Sequence, residues 1–230
     1  PGLHFAGQVR FDATTLTPPD VTTLRASLFP EGIGLAASTS SSGVVTILGN
    51  AAVPRNTTLD ADGRFDLPGQ LPGRYFVSVS LAPTTGWWLR SAMAGGRDLA
   101  DDGLELDDTD VTGVVITYTD RHSALTGVLE TAGGAPAADY FMVVVPADRS
   151  LWRPNARRIR STRPDTTGAF AFRDLPGGGY LLAALTDVEP SDLGQTTFLE
   201  QVAAEAIPVT IRDGETTEQR VRIAGGGERR

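Results

Sequence analysis

The chain has 230 residues, room for one large or two modest domains, and 40 % of them are hydrophobic, enough to bury a core. It contains no cysteine and no apolar run near the roughly 18 residues of a membrane-spanning helix, so disulfides, thiol catalysis and membrane insertion are not expected. The chain has 20 basic residues, all arginine, and 28 acidic residues. The resulting net charge of −8 argues against nucleic acid as a partner.

The first half of the chain is predicted to consist of short strands joined by turns. Residues 5–9 form the first strand, and an insertion around 31–58 separates it from a hairpin turn at Asp62-Gly63, where glycine accepts a positive φ. Residues 77–81 then alternate apolar side chains with serine, the period-two pattern of a strand with one buried face. A closing strand at 111–119 alternates in the same way.

The second half of the chain repeats these motifs in the same order. Residues 125–129 correspond to the first strand, Asp165-Thr166-Thr167-Gly168 to the hairpin turn, and residues 217–224 to the closing strand. A Leu-Pro-Gly turn follows the hairpin turn in both halves. One helix is predicted at about residues 195–206, before a proline.

Two copies of one domain are therefore predicted, a first β-sandwich at residues 1–120 and a second at 121–225, followed by a tail at 226–230. Short strands with turn signals roughly every 8–12 residues are typical of a sandwich of about seven strands. The predicted fold class is all-β, with two tandem sandwiches and one short helix in the second.

These motifs together resemble the carboxypeptidase regulatory-like domain. The resemblance is carried by residues 125–128, 165–170 and 175–177 in the second copy, and by residues 60–65 and 71–75 in the first. It implies a transthyretin-like (Ig-like) sandwich of about seven strands, found in tandem in large exported bacterial proteins. It also implies an extracellular or cell-surface location without peptidase activity or cofactors, because this family is an accessory module of unrelated proteins.

Neither catalysis nor a strong metal site is predicted from the residues themselves. His4 and His122 are too few for a zinc peptidase site, and the side chains of the neighbours His122 and Ser123 would point to opposite faces of a strand. Asp60 and Asp62 are weak calcium candidates, since closely spaced carboxylates supply hard oxygen ligands. The second copy has threonine in place of Asp62, which favours a simple turn.

Charge is distributed unevenly along the chain. Residues 1–120 carry 7 arginines and 14 acids, whereas residues 121–230 carry 13 arginines and 14 acids. Seven acids lie within residues 98–110, and five arginines lie within residues 153–163. The two clusters are either solvated surfaces or complementary docking surfaces, which would set register and association rate. The candidate interaction residues are Asp101, Asp102, Asp107, Asp108, Arg153, Arg157, Arg158, Arg160 and Arg163.

Trp87, Trp88 and Trp152 are the remaining candidates. Exposed aromatic rings can stack on sugars, so these residues form a candidate carbohydrate platform. Adjacent residues on a strand face opposite ways, so at most one of Trp87 and Trp88 is expected to be free. Packing in a core or between modules is the preferred interpretation.

The sequence favours a non-catalytic extracellular structural or adhesion module that mediates protein–protein assembly, with a filament or surface-array subunit as its most specific form. The expected partners are other copies of the chain or neighbouring domains of a parent protein. Residues 3–11 could also pair with a neighbour's sheet edge, although their match to the second copy favours their own domain. The alternative function is a carbohydrate-binding accessory module of an exported hydrolase, with polysaccharide as partner.

Overall fold

The computed structural model describes residues 2–30, 55–153 and 156–223. Most of the predicted insertion around 31–58 and the whole predicted tail at 226–230 lie outside these described residues. Strands make up 50 % of the structure and helices 13 %, which confirms the all-β class. No helix in the described ranges is long and apolar enough to cross a membrane. Contacts divide the chain into two compact units, Pro1–Asp120 and Arg121–Arg230.

Unit 1 consists of two sheets and one turn of α-helix. Its strands are β1 Leu3–Asp12, β2 Arg25–Pro30, β3 Arg55–Thr58, β4 Arg64–Gln70, β5 Gly73–Val79, β6 Trp88–Ala94, β7 Arg97–Asp98, β8 Leu104–Leu106 and β9 Val111–Thr119. One sheet has the order β4-β1-β9-β6-β7 and the other has the order β3-β2-β5-β8. The helix, α1 at Leu99–Asp102, was not expected from the sequence.

Unit 2 also consists of two sheets. Its strands are β10 Ala124–Glu130, β11 Phe141–Pro146, β12 Arg160–Thr162, β13 Ala169–Arg173, β14 Gly178–Leu185, β15 Ile207–Ile211 and β16 Thr216–Arg222. The sheet orders are β13-β10-β16 and β12-β11-β14-β15. The helix predicted at residues 195–206 is α2, Thr196–Glu205.

The two units have a common strand connectivity. In each, the first strand lies between an antiparallel neighbour and the last strand, which runs parallel to it. Seven strands of unit 1 thus have counterparts in unit 2, and unit 1 adds β6, β7 and α1 between β5 and β8. Unit 2 carries α2 at the corresponding point, between β14 and β15. Because β1 occupies an inner position of its own sheet, residues 3–11 are not free to pair with a neighbour's edge.

A glycine lies at the same place in both first strands. Gly7 of β1 is opposite Val114 of β9, and Gly127 of β10 is opposite Gln219 of β16. A Cβ at either glycine would collide with the carbonyl oxygen of that partner, because the parallel strand passes so close. Both glycines are therefore required by strand packing.

A tyrosine hydroxyl fixes the turn before the fifth strand of each unit. The Oη of Tyr75 donates to the carbonyl of Leu71 at 2.8 Å, and the Oη of Tyr180 donates to the carbonyl of Pro176 at 2.7 Å. Both bonds reach back four residues, as in the tyrosine corner of other sandwiches. Leu71 therefore matches Pro176, and the two Leu-Pro-Gly tripeptides of the sequence are offset by one residue.

Burial explains why β2 and β11 differ in sequence although they occupy corresponding positions in the two units. In β2, the buried residues Ala26 and Leu28 alternate with more exposed ones, as expected of a strand with one face in the core. In β11, residues 142–145 are all buried. Two of them face the sandwich core, and the other two pack in a separate cluster with Leu199 and Val202 of α2.

Candidate interaction surfaces

The acidic stretch between β7 and β9 begins and ends with carboxylates that hold local structure. Asp98 caps α1, since its Oδ1 accepts the backbone N–H of Ala100 at 3.0 Å and that of Ala92 at 2.7 Å. Asp110 Oδ1 accepts the backbone N–H of His4 at 2.8 Å. These two acids therefore serve the fold of unit 1.

The four candidate interaction acids lie between those anchors and differ in exposure. Asp101 and Asp102 belong to α1 and are half-buried, and Asp102 Oδ2 accepts a hydrogen bond from Nε of Arg97 at 3.1 Å. Asp107 and Asp108 lie in an exposed loop between β8 and β9, and neither forms an ion pair with any other described residue. We call Asp107 and Asp108 the acidic pair.

Arg158, one of the five candidate arginines, forms hydrogen bonds within unit 2. Its Nη1 donates to the carbonyls of Pro176 at 3.3 Å and Gly177 at 3.1 Å, and to the hydroxyl of Tyr180 at 3.0 Å. The guanidinium thus supports the same turn that the tyrosine corner closes. Charge reversal here would disturb unit 2 itself, so Arg158 is a poor probe of an interface.

Arg160 forms hydrogen bonds in a similar way. Its Nε donates to the carbonyl of Arg157 at 2.8 Å, and its Nη1 donates to the carbonyl of Arg173 at 2.9 Å. Burial is the largest influence on this guanidinium and lowers its pKa from the ordinary value. Arg160 therefore ties β12 to the end of β13.

The other three candidate arginines lie at different depths. Arg153 and Arg157 are half-buried, and Arg153 Nε lies 3.5 Å from the carbonyl of Ser150. Arg163 is exposed, with its guanidinium carbon 4.2 Å from the ring centroid of Phe141, a cation–π arrangement. Among the five candidate arginines, Arg163 is therefore the most accessible.

The tryptophans offer little ring surface to a sugar. Trp87 and Trp88 are only 6 % and 9 % exposed, so neither presents an open face. Trp152 is half-buried, its Nε1 donates to a backbone carbonyl at 2.8 Å, and the guanidinium of Arg149 lies 5.1 Å from its ring centroid. The carbohydrate platform predicted at these residues is not supported.

The two weak calcium candidates take part in a turn. Asp60 Oδ1 accepts the backbone N–H groups of Asp62 at 2.9 Å and Arg64 at 2.7 Å. Its counterpart Asp165 accepts the backbone N–H groups of Thr167 at 2.8 Å and Ala169 at 3.0 Å. Within the described ranges, no group of three or more histidine, aspartate or glutamate side chains could hold a metal ion. The carboxylate of Asp60 thus binds the backbone of the turn, whereas that of Asp62 accepts a hydrogen bond from Arg64.

Asp120, at the end of unit 1, is a structural site that the sequence reading missed. Its carboxylate accepts the backbone N–H groups of Thr14 at 2.9 Å, Thr15 at 2.6 Å and Leu16 at 2.8 Å, and both threonine hydroxyls. Burial opposes ionisation, but these hydrogen bonds outweigh it and hold the pKa well below its usual range. No motif marks the site, because Asp120 and Thr15 are 105 residues apart in sequence.

A histidine, a serine and an aspartate also meet near the start of unit 2. His122 Nδ1 lies 2.6 Å from Asp174 Oδ1. Ser123 is 0 % exposed, and its Oγ accepts the backbone N–H of Gly214 at 3.0 Å. A nucleophilic serine needs access to its substrate. The buried Ser123 side chain instead binds the backbone of its own unit.

No family model matches the chain, so the resemblance to the carboxypeptidase regulatory-like domain stays a prediction. No curated protein matches it either. Among solved structures, it is similar to GBS52, the minor pilin of Streptococcus agalactiae, with 13 % identity, a TM-score of 0.35 and coverage of 96 % of this chain and 95 % of that one. It is also similar to the shaft pilin SpaA from Lactobacillus rhamnosus GG, with 11 % identity, a TM-score of 0.33 and coverage of 98 % and 97 %.

A third similar structure is the Bacillus anthracis TIE protein, with 10 % identity and a TM-score of 0.31. The match covers 96 % of this chain but 34 % of that one, so the chain spans about a third of its length. TM-scores this low do not show a shared function.

Proposed function

We propose that the chain is a non-catalytic structural module, extracellular or on the cell surface, that assembles with protein partners through charged surfaces. The observation that carries this proposal is the acidic pair, Asp107 and Asp108, which is exposed and has no ion-pair partner among the described residues. Two adjacent carboxylates repel each other, and an arginine from another protein would relieve that repulsion.

A second copy of the chain can supply the arginine. Residues 121–230 hold 13 of the 20 arginines, and Arg163 presents its guanidinium at the surface of unit 2. A contact between the acidic pair of one copy and Arg163 of the next joins two different surfaces, so it is head-to-tail unless the same two copies also form it reciprocally. Such a contact propagates as a filament unless it closes into a ring. A filament or surface array is therefore the most specific form of the proposal.

Light scattering at low and high salt, with negative-stain images of the same samples, tests this proposal. We expect species larger than a dimer at low salt that dissociate at high salt, because the screening length falls from about 30 Å at 0.01 M salt to about 3 Å at 1 M, which weakens exposed ion pairs. A chain that forms no such species at any salt or protein concentration would contradict the proposal. So would hydrolysis of an ester, peptide or glycoside that persists after repurification.

Charge reversal at the acidic pair locates the contact. The double variant Asp107→Arg/Asp108→Arg should weaken the larger species at least about tenfold, and Arg163→Glu should act in the same direction. The matched control, Asp139→Arg/Glu205→Arg, changes the net charge equally at two other exposed positions and should leave association unchanged. Equal loss in both double variants would point to net charge and not to a specific surface.

A further inference from the structure

The same sheet edge is paired with a strand in unit 1 and has no partner among the described strands in unit 2. In unit 1, β6 pairs antiparallel with β9, which pairs on its other side with β1. The counterpart of β9 in unit 2 is β16, which pairs with β10 and has no second neighbour among the described strands. The side chains of Glu218 and Arg220 on β16 are exposed. Among the described residues, unit 2 thus has an unpaired edge where unit 1 has a strand.

Two backbone hydrogen bonds show which groups of β16 lie on that edge. The carbonyl of Glu215 accepts the N–H of Ala124 at 3.0 Å, and the N–H of Ile223 donates to the carbonyl of Glu130 at 2.9 Å. Odd-numbered residues therefore turn their peptide groups toward β10, because alternate residues of a strand turn them to the same side. The N–H and C=O groups of the even-numbered residues from 216 to 222 point to the unpaired edge.

We propose that β16 pairs antiparallel with β16 of a second copy, about a two-fold axis at Gln219. This inference rests on the proposed assembly function and names the partner and one strand through which it binds. Glu218 then faces Arg220 of the second copy, and the reciprocal pair forms by symmetry. Each pair exchanges two main-chain hydrogen bonds and joins opposite charges.

Charge selects this register over its neighbours. An axis at Glu218 would place two glutamates opposite each other, and an axis at Arg220 would place two arginines opposite each other. An axis at Val221 would place Arg220 opposite Arg222. Like charges directly opposite destabilise a strand pair, so the axis at Gln219 is favoured over each of these shifts.

Arg220 is available for the new pair. Within unit 2, the carboxylate of Glu130 is 3.3 Å from Nη2 of Arg222, whereas Nη1 of Arg220 lies 3.9 Å away at the limit of an ion pair. The side chain of Arg220 is 74 % exposed. It can therefore move to Glu218 of the second copy while Arg222 continues to neutralise Glu130.

A charge-swap series tests the strand pair, with the association measured by sedimentation velocity at low salt, where the exposed charges of β16 are least screened. Every chain of the series also carries Asp107→Arg/Asp108→Arg, which removes the larger species, so wild type here refers to the sequence of β16. The wild-type chain should dimerise, and Glu218→Arg should weaken the dimer at least about tenfold, because it places arginines opposite each other. The double variant Glu218→Arg/Arg220→Glu should restore dimerisation, since the opposite charges are merely exchanged. Glu205→Arg is the matched control and should behave as wild type.

Mixing the single variants gives a second test that does not depend on either variant alone. Glu218→Arg and Arg220→Glu should each be monomeric, yet a mixture should form heterodimers, because every cross-strand pair then joins opposite charges. Thermal unfolding of each variant confirms that it is folded. A wild-type chain that never dimerises, or a dimer that Glu218→Arg leaves intact, would overturn the inference.

The outcomes for the two proposals are separable. The strand pair is isologous and stops at two copies, whereas the contact of the acidic pair is head-to-tail and builds larger species. If the β16 dimer fails while salt-sensitive larger species persist, the inference is wrong and the proposed function stands. If only the dimer forms, and Asp107→Arg/Asp108→Arg does not change the association, the acidic pair is not a contact between copies. The pairing of β16 then stands as the contact.

Discussion

Single carboxylates form contacts on both sides of the short connection between the units. Asp120 gathers three successive N–H groups of unit 1 around one negative charge, an arrangement known as a nest. Across the connection, Asp174 of unit 2 contacts His122 and also adopts a left-handed conformation, with φ of 56°. The matching position of unit 1 is Gly69, with φ of 73°.

We expect Asp120→Asn to lower the melting temperature of unit 1 by several degrees at pH 7. The amide would place an NH2 group against backbone N–H donors, so at least one of these donors would lose its acceptor. Thermal unfolding followed by circular dichroism measures the effect. Asp139→Asn, an exposed aspartate of unit 2, serves as the control, and an equal shift in both variants would contradict this role.

Asp120 should also make stability depend on acid pH. Its pKa lies lower in the folded chain than the ordinary value of 3.8, so its contribution is complete above that value. The contribution is lost as the pH falls below about 4 toward the folded pKa, because the unfolded chain takes up the proton first. The melting temperature of Asp120→Asn should therefore fall less steeply than that of wild type between pH 5 and pH 2.

Two substitutions at residue 174 separate backbone strain from side-chain contact. Asp174→Ala and Asp174→Gly both remove the contact with His122, but only alanine must keep its Cβ in a left-handed conformation. We expect the alanine variant to be less stable than the glycine variant by about 1 kcal/mol. Urea unfolding measures the difference, and equal stabilities would show that the backbone had relaxed.

At the scale of elements, the two units differ in what covers their common framework. Unit 1 inserts the hairpin β6–β7 and extends one sheet, whereas unit 2 inserts α2 and buries the outer side of β11. The helix contributes Leu199 and Val202, both fully buried. Without this cover, two valines of β11 would lose their apolar neighbours on one side of the sheet.

Leu199→Ala tests how much α2 contributes to unit 2. Removing buried methyl groups leaves a cavity, and we expect a loss of about 2–5 kcal/mol in the free energy of unfolding. Thr197→Ala, an exposed position of the same helix, should change stability by less than about 0.5 kcal/mol. If the two variants lost the same stability, α2 would not be packed as described.

Local patterns allowed much of the fold to be predicted, whereas contacts across the chain could not be. The helix at residues 195–206 was correct to within one residue at each end, because its apolar face and the following proline are neighbours in sequence. The strand β6 was missed, because its residues do not alternate in burial along their length. The roles of Arg158 and Asp120 were missed because their partners come from distant turns.

At the scale of the whole molecule, each unit has its own hydrophobic core. One core joins residues of β1, β2, β4 and β9, and a separate core joins β10, β11, β14 and β16. No core cluster in the described ranges mixes residues of both units. Units with separate cores are expected to fold as domains in their own right.

We therefore expect residues 121–230 to fold when expressed alone. The fragment should give a strand-rich circular dichroism spectrum and a cooperative unfolding transition, because its core clusters are complete without unit 1. The unfolding transition of the fragment is compared with the transition of the full chain carrying Phe5→Ala. This substitution removes a fully buried ring from unit 1 and leaves the residues of unit 2 unchanged. A fragment without a transition would show that unit 2 depends on unit 1.

The parallel pairing of the first and last strands has a mechanical consequence. β1 and β9 stay in register from Gly7 opposite Val114 to Asp12 opposite Thr119, so the chain enters one end of the pair and leaves at the other. Tension applied to the two ends of the unit would slide these strands along each other and load the whole ladder in shear, so that its hydrogen bonds must break together. The pair β10 and β16 is arranged alike, which suits each unit to bear a pulling force.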